Sequence, residues 1–224
     1  MSTVHDLQVP ASPAESTRVK FPEAPYTRAG RYFGAYVGET TRAASSIEPA
    51  SLDHAAAILL QAYTSGARVF SCGNGGSASI ANHMQCDHVK GIRNETDLVP
   101  QVLSLSTNVE LLTAIANDLG YENVFVYQLQ SQARTGDVLI AVSSSGRSAN
   151  IVHALAWARD HGLRTIAITG FGGGEARTTA EVAIHVDSTN YGVVEDLHQS
   201  VMHALAQYIR QSRMTADAIS ATVF

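Results

Sequence analysis

The chain is expected to fold as one α/β domain, a five-stranded parallel sheet flanked by helices on both faces, with two leading helices and a long final helix. Two features of the sequence predict this. Five short, mostly apolar runs lie between Val69 and Val186, each followed by small residues and then by a longer amphipathic stretch. Strands that are apolar on both faces belong to parallel sheets covered on both sides by helices.

The elements follow in order. Residues 1–25 place Pro10, Pro13, Pro22 and Pro25 among small polar residues, so a flexible tail is expected there. It has neither the basic region nor the apolar core of a secretory signal. The domain is expected over residues 26–213. It begins with apolar residues at helical spacing, first Tyr32, Ala35 and Tyr36, then Leu52, Ala55, Ala56, Leu59 and Leu60, with Pro49 and Ser51 marking a helix restart. Strands are expected at residues 69–72, 102–105, 138–142, 165–169 and 182–186. Helices are expected at 149–161 after the third strand and at about 193–213 at the end, with 214–224 as a C-terminal tail.

With 224 residues, 45% of them apolar and 16% charged, the chain can bury one sizeable core. A formal charge of -5 and the lack of a Lys/Arg run argue against nucleic acid or an anionic membrane as partner. Cys72 and Cys86 are the only cysteines, which suits a reducing cytosol, and a cytoplasmic protein is expected. No apolar stretch approaches the ~20 residues that a membrane helix needs.

In open parallel sheets ligands bind beyond the carboxyl ends of the strands, and the glycines and hydroxyls of this chain gather there. The third strand runs into Ser143, Ser144, Ser145, Gly146, Arg147 and Ser148 at the start of a helix. Hydroxyls and free backbone N–H groups at a helix N-terminus suit a phosphate, whereas an ordinary helix cap needs one hydroxyl and not four. The first strand ends in Gly73, Asn74, Gly75, Gly76 and Ser77, where glycines admit a ligand close to the backbone and Ser77 is expected to cap the next helix. That turn lacks the dinucleotide spacing, and the chain has no Gly-Lys-Ser/Thr of a nucleotide loop. The turn from Thr169 to Gly174 reads equally well as a tight connection.

Taken together, Cys72 to Ser77, His83 with an acid four residues on, Leu112 to Asp118, and Gly136 to Ile140 leading into Ser143 to Gly146 resemble the sugar isomerase (SIS) family. Within it they are most similar to the phosphoheptose isomerases. The resemblance runs from about Tyr32 to Gln211. It implies aldose-ketose isomerisation of a phosphorylated sugar, foremost sedoheptulose 7-phosphate, in a homotetramer carrying a divalent metal, usually zinc. It also implies substrate contacts from Asn74, Gly75, Gly76, Ser77, Asn117, Asp118, Ser143, Ser144, Ser145, Ser148 and Glu195. His83, Asp87, Glu195 and His203 are implied as metal ligands, with Asp87 and His203 as the catalytic base and acid. Related isomerases usually carry Glu at position 87 and Gln at position 195.

The residues bear on this independently. His83 and Asp87 are four apart on an expected helix, so both project from one face. Two imidazoles and two carboxylates would suit zinc, with manganese or iron also compatible by ligand type. Eight residues of helix separate Glu195 from His203 by ~12 Å along the axis, and Asp196 and His198 are competitors for the same role. Two alternatives stand beside the heptose enzyme. One is a non-catalytic tetrameric adaptor like the SIS protein that binds a replication initiator. The other is an isomerase for a different sugar phosphate.

Overall fold

A computed structural model describes residues 20–224. Two helices lead, α1 (Ala29–Ala44) and α2 (Pro49–Ser65). Pro49 opens α2, where its missing N–H costs nothing, and Gly66 closes it in the left-handed conformation at φ 75°. Then follow β1 (Arg68–Gly73), α3 (Gly76–Cys86), a π-turn (Asp87–Ile92), β2 (Gln101–Ser104), α4 (Val109–Leu119), a 3-10 turn (Tyr121–Asn123) and α5 (Val126–Gln132). The second half comprises β3 (Val138–Ser143), α6 (Ala149–Asp160), β4 (Arg164–Thr169), α7 (Gly174–Thr179), β5 (Val182–His185), α8 (Tyr191–Gln211) and α9 (Ala216–Ala221).

The five strands pair in parallel in the order β2-β1-β3-β4-β5. Alternating side chains of the central strands feed two cores, one on each face. Val138, Ile140 and Val142 pack with α2 and α8 residues such as Leu59, Val201 and Leu205. Leu139 and Ala141 pack with Phe125, Leu129, Ile151 and Leu155 on the other face. This double coverage is what the both-face apolar runs require.

The strand order reverses between β1 and β3, so the loops leaving these two strands diverge to opposite faces and open a crevice between them. The glycine turn and the serine turn are those two loops.

Two terminal expectations need correction. Of the tail expected over 1–25, residues 1–19 lie outside the described residues. The rest packs onto the domain: the Phe21 ring meets Tyr32 at 5.4 Å and Tyr36 at 6.1 Å, and Asn190 Nδ2 donates to the Phe21 carbonyl. In segment 214–224 the short helix α9 forms, capped by the Thr215 hydroxyl, and the Phe224 ring lies under the Arg210 guanidinium at 4.9 Å.

Candidate active site

A cleft of about 150 Å³ opens at the switch point between β1 and β3. Asn74 and Ser77 form one wall, the serine turn another, and Tyr191 and Glu195 from the first turns of α8 the third.

The serine turn has been left with hydroxyls to spare. Ser148 is the N-cap of α6, yet its side chain makes no capping hydrogen bond. Ser144 is 5% exposed, and its Oγ has no hydrogen-bond partner among the described residues. Burying a hydroxyl unpaired costs about 1–3 kcal/mol, a penalty a bound anion would remove. Ser143 and Ser145 spend theirs as acceptors for the Gly146 and Arg147 N–H groups, shaping the turn. The turn after β4 is more than a connection. Gly170 N–H donates to the Ser144 carbonyl and Ala176 N–H to the Gly146 carbonyl. Gly146 sits at φ 66°, and a Cβ there would meet the Gly173 carbonyl oxygen.

On the other wall, Gly75 and not Ser77 caps α3, at φ 55°. Ser77 lies one residue inside the helix and faces the cleft. The sequence expectation of a Ser77 cap is therefore corrected, because Gly75 makes the chain reversal before the helix begins. Gly76 lets the Glu195 carboxylate come down onto the start of α3. Neighbours of Glu195 on α8 are committed elsewhere. Asp196 accepts from the Tyr36 hydroxyl at 2.6 Å. Burial, and then this carboxylate, push the Tyr36 phenol above its ordinary range. His198 is fully buried, and burial pushes it down to about 4.

Further along α3 and α8 a second group assembles. His83 Nε2 and His203 Nε2 each lie 3.4 Å from an Asp87 carboxylate oxygen, one on either side. The ligand atoms of all three lie within 4.8 Å of one another. Asp87 begins the π-turn, and such turns inside helices occur frequently at functional sites. Two nitrogens and one oxygen with a face open to solvent fit the donor set of a catalytic divalent ion that keeps a coordination position free. Glu195 is not part of this group. Eight residues of continuous α8 separate it from His203, so it faces the cleft instead.

Asn117 and Asp118 also stand apart from the cleft. They sit exposed in the last turn of α4, where Asn117 Nδ2 donates to Asp118. The sequence reading missed Tyr191 and Gln199. The Gln199 amide lies 2.8 Å from His203 Nε2, and its place four residues before His203 on one helix was the available signal.

Comparison with known proteins identifies the family. Residues 32–170 match the SIS domain family. A phosphoheptose isomerase of Alteromonas mediterranea is 34% identical over 182 residues, covering 80% of this chain and 91% of that one. That of Rhodospirillum rubrum is 35% identical over 162 residues, covering 72% and 86%. Among solved structures, the phosphoheptose isomerase of Neisseria gonorrhoeae superposes with a TM-score of 0.75 at 30% identity, over 82% of this chain and all of that one. The Francisella tularensis phosphoheptose isomerase gives 0.74 at 27% identity. A parallel sheet of this order, a hydroxyl-lined cleft at its switch point and matches spanning most of both chains lead to one conclusion: the chain belongs to the SIS family and, within it, to the phosphoheptose isomerases.

Proposed function

We propose that the protein interconverts sedoheptulose 7-phosphate and D-glycero-D-manno-heptose 7-phosphate. The observation that carries this reading is the pairing of two sites on the same two helices. Ser77 and His83 share α3, and Glu195 and His203 share α8. Six residues of helix separate the first pair by ~9 Å, so a phosphate in the serine turn would leave the far end of an extended sugar near Asp87 and His203.

In this reading the phosphate takes the Ser144 and Ser148 hydroxyls and the N–H groups at the start of α6. Asn74, the Gly75 and Gly76 backbone, Ser77, Ser143 and Ser145 line the sugar's path. Asp87 removes the proton from C1 while His203 gives a proton to the C2 oxygen, which leaves the enediol. His203 then takes the proton from the C1 oxygen, and Asp87 returns its proton to C2. One C–H bond breaks and one forms, and no external redox partner is needed. Each of these two side chains is worth roughly 10² to 10⁴ in rate.

His83 would hold the divalent ion, with Asp87 and His203 each joining it only while not carrying a proton, and we assign the ion as zinc from this N2O donor set. Bound there, it supplies positive charge to stabilise the oxygens of the enediolate. Glu195 is assigned to substrate, not metal.

We further assign a homotetramer in the cytoplasm. The outward placement of Asn117 and Asp118 supports their service to a neighbouring subunit's cleft. Phe33 and Val37, 67% and 47% exposed on α1, support burial of that helix between subunits. The unpaired Cys72 and Cys86 suit a reducing compartment, and no helix among the described residues is long and apolar enough to cross a membrane. The convergence of His83, Asp87 and His203 favours catalysis over the adaptor alternative. Incubation with a panel of ketose 7-, 6- and 5-phosphates, with and without chelator, tests the reading. Metal-dependent turnover of the seven-carbon substrate is expected, and turnover of none of them overturns it.

A further inference from the structure

Asn74, on the glycine turn, is held from two directions. Its Nδ2 donates to Asn150 Oδ1 at 2.9 Å, and Asn150 Nδ2 donates back to Asn74 Oδ1 at 2.9 Å. The Tyr121 hydroxyl donates to the same Asn74 Oδ1 at 2.8 Å. Asn150 is 1% exposed in the first turn of α6, directly after the serine turn. Tyr121 opens the 3-10 turn beyond α4 and is 57% exposed.

A primary amide offers two N–H donors and two acceptor lone pairs. In Asn74 both lone pairs and one N–H are taken, by residues 47 and 76 positions away in the chain. What remains is the second N–H, and Asn74 lines the cleft. The reciprocal amide pair also ties the loop leaving β1 to the helix leaving β3 across the switch point. A buried asparagine must be matched in this way or lose its hydrogen bonds to water without replacement. The match fixes both the spacing of the two loops and the rotation of the Asn74 amide.

We infer that Asn150 and Tyr121 are positioning residues: they lock the Asn74 amide so that one N–H stands ready for an oxygen of the sugar phosphate. The inference rests on the isomerase reading of the cleft. It adds two residues that act on substrate through Asn74 without touching it. Because the donor is held in place before substrate arrives, its contribution falls on binding in the ground and transition states alike, and so on KM more than on kcat.

Replacing the buried Asn150 endangers the fold, so the exposed Tyr121 carries the test. Tyr121→Phe, Asn74→Ala and the double variant are compared with the parent protein in steady-state kinetics on sedoheptulose 7-phosphate. Tyr121→Phe is expected to raise KM about three- to tenfold, the worth of one hydrogen bond, with kcat within about twofold. In the Asn74→Ala background the same change is expected to have no further effect, since residues acting through one contact are not additive. Equal effects of Tyr121→Phe in both backgrounds, or none in either while the parent turns over normally, overturn the inference alone. A parent protein that turns over no sugar phosphate overturns the isomerase reading and the inference with it.

Discussion

The Glu195 carboxylate occupies the space that a Cβ on Gly76 would need: such an atom would collide with Glu195 Oε2. Gly76 is therefore the seat of an acidic group that α8 delivers to the start of α3. Gly76→Ala is expected to fold and to push Glu195 out of the cleft. Because a displacement of about 1 Å at a reacting site can cost ~10²-fold, kcat/KM should fall by at least about tenfold, measured on sedoheptulose 7-phosphate. Unchanged kinetics would show that Glu195 has no part in the reaction.

Asp87→Asn and His203→Ala address the chemical step. Both residues meet at 3.4 Å, and both lie away from the serine turn that is proposed to hold the phosphate. Each variant should lose roughly 10² to 10⁴ in kcat. Calorimetric affinity for the sugar phosphate should stay within about threefold of the parent. Loss of affinity equal to the loss of turnover would move these residues from catalysis to binding.

The serine turn makes opposite predictions for stability and function. Ser144 Oγ is buried without a partner among the described residues, so Ser144→Ala removes a penalty in the unliganded protein. Its melting temperature without ligand should be unchanged or raised, while KM for the phosphorylated sugar rises about tenfold. Ser145→Ala should also raise KM with kcat preserved. A Ser144→Ala protein that melts lower yet binds substrate normally would assign that hydroxyl to the fold.

His198 gives a pH signature. Burial lowers it from 6.5 to about 4, so the unfolded chain takes up a proton in the pH range where the folded chain does not. Its neutral form supports the fold fully above about pH 6.5, and that support is lost as pH falls toward 4. Denaturant unfolding of the parent and of His198→Leu should therefore differ in slope by about one proton between pH 6.5 and 4. Parallel curves would mean that His198 titrates normally in the folded protein.

The three central strands were legible because both-face burial leaves an apolar run that needs no partner to be recognised. The expected strand at residues 165–169 is β4 (Arg164–Thr169), and that at 138–142 is β3 (Val138–Ser143). The metal-capable group was legible in part. His83 and Asp87 share a helix face by spacing alone, whereas His203 joins them only through the packing of α8 on α3 and came from the family resemblance. The π-turn at Asp87 adds an extra residue to a helical turn, and hydrophobic periodicity does not encode that. The Asn74–Asn150–Tyr121 network links residues from three separated stretches, and no local pattern announces it. Residues 20–25 were read as tail from their prolines, yet the Phe21 ring finds the Tyr26, Tyr32 and Tyr36 rings once α1 has formed. Of the four residues that the resemblance implied for the metal, His83, Asp87 and His203 converge, while Glu195 lies eight residues earlier on α8 and lines the cleft.

The most direct test of the account is a crystal structure of the Asp87→Asn variant soaked with sedoheptulose 7-phosphate. The account predicts phosphate oxygens within hydrogen-bond distance of Ser144 and Ser148, with C1 and C2 of the sugar against residues 87 and 203. A phosphate seated away from the serine turn, or reacting carbons out of reach of His203, would contradict it.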